Sequence, residues 1–71
     1  MIDYTVNEIK VAAYNWTELP DMGIEERALW YSIGYWYEEY RAGRESKEAC
    51  AAAVNGLIEH YCKVKMMGRG K

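Results

Sequence analysis

Phenylalanine is absent from these 71 residues, proline and histidine occur once each, and cysteine twice. No stretch approaches the ~20 apolar residues that cross a bilayer. The N-terminus carries Asp3 and Glu8 with no basic segment, so it does not read as a signal peptide. A cytoplasmic location is expected. No Gly-rich phosphate loop and no nucleophile elbow occurs. The alternation that marks a half-buried strand is missing too.

The scarce soft ligands are badly spaced for chemistry. His60 and Cys62 stand two apart, on opposite sides of a helix. Adding Cys50 gives no CxxC or HxxxH pattern, so neither a metal nor a cofactor is expected. On one continuous helix Cys50 and Cys62 lie roughly 18 Å apart. A disulfide needs Cα atoms within about 7 Å, so two buried free thiols are expected. The acid pairs Glu25/Glu26 and Glu38/Glu39 are adjacent and diverge around a helix, whereas acid–base catalysis needs converging carboxyls. No enzyme is expected from these groups.

What the chain has is ring surface. Seven Tyr and three Trp stand in a sequence that is 51% hydrophobic and 28% charged. A domain this short buries only about 60% of its unfolded surface. Partners or self-association are a common remedy for such a small core. Tyr and Trp, apolar in body and polar at the tip, suit surfaces that meet another molecule.

Proline and glycine punctuate the chain at Pro20–Gly23, at Gly43 and at Gly68–Gly70, leaving three segments. Thr5 and Glu8 have capping-box spacing, which predicts a helix over about 5–17 with Val6, Ile9, Ala13 and Trp16 inward. The second helix, 24–41, steps through Leu29, Ile33, Trp36 and Tyr40, with Trp30 and Tyr37 beside them. Gly34 interrupts it, which suggests close approach of a neighbouring helix. The third, 47–66, opens after the N-cap Ser46 and buries Cys50, Val54, Leu57, Tyr61 and Val64. The expectation is one all-α domain over residues 1–71, a small three-helix bundle with a long helical hairpin.

The middle helix carries a second apolar row. With Leu29 at the origin of a helical wheel, Ile24, Ala28, Tyr31 and Tyr35 gather at roughly 200–260°, away from the main stripe. Either both other helices cover this helix, or Tyr31 and Tyr35 form an exposed patch. In the second case Glu25, Glu26, Glu38 and Glu39 supply a polar rim. Charge is also uneven: residues 1–26 hold six acids against Lys10, and residues 60–71 hold Lys63, Lys65, Arg69 and Lys71 with no acid. The acidic end suits a basic partner surface. The basic end suits phosphates.

Leu19-Pro20-Asp21, Leu29-Trp30-Tyr31, Tyr37-Glu38-Glu39-Tyr40-Arg41-Ala42-Gly43 and Ser46-Lys47-Glu48-Ala49 form a further pattern. Across residues 19–62 it resembles a class of short uncharacterised helical proteins of Firmicutes phages and prophages. That resemblance implies a phage origin and no particular activity. Phage proteins of this size are often stoichiometric inhibitors of host machinery, anti-CRISPR proteins among them.

The functional expectation is therefore a non-enzymatic protein-interaction module. Its concrete form is a phage-encoded inhibitor of a host nucleic-acid enzyme, contacting through Tyr31 and Tyr35 with Glu25, Glu26, Glu38 and Glu39. The expected partner is another protein, with a homodimer as the other option and no membrane. The alternative is a small DNA- or RNA-binding regulator using Lys63, Lys65, Arg69 and Lys71.

Overall fold

The computed structural model describes residues 4–69, with side chains through Met66. It is an all-α three-helix bundle: α1, Val6–Tyr14; α2, Ile24–Arg41; α3, Lys47–Arg69. No strand occurs among the described residues. No helix there is long and apolar enough to cross a membrane.

Thr5 starts α1 as a complete capping box. The Glu8 N–H donates to Thr5 Oγ1 at 3.1 Å, and the Thr5 N–H donates to Glu8 Oε1 at 2.8 Å. Two orphan N–H groups of the first turn are thus satisfied. Thr5→Ala is expected to cost about 1 kcal/mol of stability, read as a lower urea midpoint at unchanged slope.

α1 is shorter than the 5–17 expected. Its last carbonyls are capped by the Trp16 N–H on Ala13 and the Thr17 N–H on Ala12, the paired bonds that close a helix. This places Trp16 in the left-handed region, at φ 53°. Glycine normally takes that place, because a Cβ there costs about 1–2 kcal/mol. Arg41 also donates to the Tyr14 carbonyl at 2.7 Å and lies over the Tyr14 ring.

α2 closes by the same device. Arg44 N–H bonds Glu39 O and Gly43 N–H bonds Tyr40 O, with Gly43 at φ 82°. The chain turns within five residues into α3, whose Ala49 N–H is capped by Ser46 Oγ at 3.1 Å. α3 extends to Arg69, beyond the expected end at 66.

α2 is the shared partner: α1 and α3 both pack on it. The core joins Ile9, Ala12 and Ala13 of α1 to Leu29, Trp30 and Ile33 of α2 and to Cys50, Val54 and Tyr61 of α3. Trp36 and Leu57 pack against it half-buried, while Tyr40, at the end of the expected stripe, is exposed. Trp30 spends its indole N–H on the Thr17 carbonyl at 2.9 Å, so the buried ring leaves no orphan donor.

Gly34 does admit a close neighbour, but that neighbour is a ring and not a helix. A Cβ at Gly34 would stand 2.7 Å from Trp16 Cη2 and 2.8 Å from Cζ3. The described residues span 42 × 23 × 15 Å along their principal axes. In so thin a slab one side of α2 stays open.

Candidate functional site

The open side of α2 is the row expected from the wheel. Ile24 is 87% exposed, Tyr31 62% and Tyr35 50%, and Ala28 lies exposed between them. Steps of four, three and four residues stack these side chains along one line of the helix. Glu25 and Glu38 are exposed beside it.

Trp16, expected inside α1, lies beyond its end and completes this face instead. Its ring meets Tyr31 edge-on at 5.9 Å and Trp30 at 5.2 Å. Its indole N–H donates to Glu38 Oε1 at 2.6 Å. That charge-assisted bond holds the Glu38 carboxylate in place. One face thereby presents Ile24, Tyr31, Tyr35 and the Trp16 ring, with Trp30 behind them. The signal in the sequence is Gly34, a helix-interior glycine that admits a close approach.

Two expected rim residues have their carboxylates engaged by other side chains. Glu26 is buried, at 4% exposure, where it accepts from the Tyr61 hydroxyl at 3.1 Å and from Lys65 Nζ at 3.3 Å. Its place follows from position: it falls on the Leu29–Ile33 side of α2, facing the end of α3. Burial pushes its carboxyl up. Hydrogen bonds from Lys65, its own N–H and Tyr61, with the Lys65 charge, outweigh that and leave it below its ordinary value. The Tyr61 hydroxyl is pushed up, first by burial and then by donating to Glu26.

Glu39 is turned toward the α2–α3 connection, where both oxygens take Arg44 guanidinium nitrogens at 2.8 Å. The Arg44 hydrogen bond draws its carboxyl below the ordinary range. Of the six residues expected at a docking surface, Tyr31, Tyr35, Glu25 and Glu38 are exposed on α2, and among the described residues neither Glu25 nor Glu38 has a salt-bridge partner closer than 3.9 Å.

The basic end is divided as well. Lys63 is exposed, but Lys65 is committed to Glu26 and lies against the Tyr61 ring. The Arg69 side chain and Lys71 lie outside the described residues. The cysteines also part company: Cys50 is buried with Sγ 3.6 Å from the Trp36 carbonyl, and Cys62 is exposed. Burial raises the Cys50 thiol, which keeps it protonated and inert. The expected pair of buried thiols is thus one buried and one exposed. Among the described residues no three His, Cys, Asp or Glu side chains cluster as metal ligands.

Beside the open face, on the α3 side, runs a groove of about 360 Å³. Leu29, Leu57, Tyr61 and Val64 line it, with Glu25 and His60 also contributing. Ala28 belongs to both the groove and the row, so the two are continuous. No family model, curated protein or solved structure matches this chain.

Proposed function

We propose that this chain is a non-enzymatic interaction module that docks on another protein through the open face of α2. The observation that carries the reading is the exposed line Ile24, Ala28, Tyr31 and Tyr35, left uncovered by α1 and α3. Aromatic side chains in a contiguous patch are the commonest energetic anchors of interfaces. Here they are already partly ordered, since Trp16 braces Tyr31 and Tyr35 meets Trp36 at 6.1 Å. Preorganised rings lose less side-chain freedom on binding.

The partner is a protein with a basic surface. Glu25 and Glu38 are exposed on α2 and Asp21 in the segment leading into it, while the Glu18 carboxylate is ion-paired with Arg27 at 2.8 Å. An acidic face steers association toward positive patches, such as those that hold nucleic acid in host enzymes. The resemblance of residues 19–62 to short phage proteins supports the specific form: a phage-encoded inhibitor that covers such a surface.

Paired capture from host lysate tests the reading, with the wild-type chain and Tyr31→Ala/Tyr35→Ala as baits. The wild type is expected to retain a nucleic-acid-binding protein, and the double variant to bind it at least tenfold more weakly at unchanged helicity. Equal affinity of the two baits would remove this face from the mechanism.

A further inference from the structure

A second groove, of about 220 Å³, crosses the molecule where all three helices contribute. α1 supplies Lys10 and Tyr14, α2 supplies Tyr37 and Tyr40, and α3 supplies Lys47 and Asn55 over an apolar floor. Tyr14 and Tyr40 keep 46% and 39% of their surface exposed. Tyr14 and Tyr37 stand edge-to-face at 5.1 Å, and the Arg41 guanidinium lies 4.8 Å from the Tyr14 ring centre. The residues lining the groove include two ammonium groups and no carboxylate, in a chain of net charge −2.

We infer that this groove binds a nucleotide unit, with the base against the tyrosine rings and the phosphate against Lys10 and Lys47. Rings that accept any base face, set beside lysines that track phosphate, are the two parts of single-strand recognition. The volume lies below the roughly 300–1,000 Å³ of drug-sized sites, which suits a single ring system. The Asn55 amide offers both a donor and an acceptor to a base edge. An acidic peptide would satisfy the lysines and leave the three rings unused. None of these residues belongs to the docking face, so the two proposals fail independently.

Fluorescence anisotropy of a labelled oligothymidylate at low salt provides the test, with AMP as competitor. Binding is expected to weaken about tenfold in Lys10→Ala/Lys47→Ala and about tenfold in Tyr14→Leu, and to stay unchanged in Lys63→Ala. Displacement by AMP assigns a free nucleotide. A strand that AMP does not displace assigns single-stranded nucleic acid, and both support the site. If Tyr14→Leu loses helicity, the lysine variant decides alone, since Lys47 is exposed and Lys10 only partly covered. No binding of either probe, undiminished binding by the lysine variant, or polyglutamate displacing the strand as well as unlabelled oligothymidylate does would overturn the assignment.

Discussion

Lys65→Met is expected to destabilise the fold by about 3 kcal/mol at neutral pH, and adding Glu26→Gln is expected to recover most of that loss. Glu26 is almost fully enclosed, and Lys65 is the cation that reaches it across the α2–α3 pair. Removing the ammonium leaves a carboxylate in a poorly solvated place with the Tyr61 hydroxyl still donating. The lower end of the usual 3–5 kcal/mol for a broken buried pair applies, because the Lys65 side chain is 29% exposed.

The pH dependence gives a second reading of the same contact. The Glu26 carboxyl lies below its ordinary value in the fold, so folding favours its charged form. Its contribution is fully present above the ordinary carboxylate value of about 4.3 and is lost as pH falls through the folded value beneath it. In Lys65→Met the burial remains while the Lys65 hydrogen bond and charge are gone, so the lowering weakens and less stability is lost to acid. Urea midpoints at neutral and acidic pH should therefore fall for the wild type and fall less for the variant. Parallel acid losses in the two proteins would refute the role given to this pair.

Gly34→Ala is expected to cost about 2 kcal/mol and to shift Trp fluorescence to the red. The new Cβ would sit within 2.8 Å of two Trp16 ring atoms, so the ring must leave its place. A clash of that depth falls near the upper end of overpacking penalties, about 3 kcal/mol. Alanine's better helix propensity offsets about 1 kcal/mol. The sign should reverse in a Trp16→Ala background, where the three nearest atoms are gone and the same substitution is expected to stabilise by up to about 1 kcal/mol. A double-mutant cycle in urea measures this coupling. A coupling near zero would mean that the ring is not held against Gly34.

Within single helices the sequence was nearly sufficient. The Thr5–Glu8 box, the Ser46 cap and Gly43 fix three helix ends by local hydrogen bonds, and spacing alone put Tyr31 and Tyr35 on a common row opposite the core. What periodicity could not supply was pairing between helices. Glu26 read as surface because acids in a first turn complement the helix dipole. Its burial depends on Tyr61 and Lys65, which stand 35 and 39 residues away. Trp16 fitted the α1 stripe by spacing, yet a backbone reversal at that residue swings its ring onto α2. The tyrosine groove was illegible for the same reason, since Lys10, Tyr37 and Lys47 are united only by how three helices stack.

With α2 touching both neighbours, contacts run chiefly between segments adjacent along the chain, joined by short connections. Little loop entropy stands in the way of assembly, and chains of this topology collapse to the native state in microseconds to milliseconds. The middle helix must take part in any nucleus, because neither flanking helix has another large surface on which to condense. Core truncations there, such as Ile33→Ala, should slow refolding, whereas truncations near the far end of α3 should chiefly hasten unfolding.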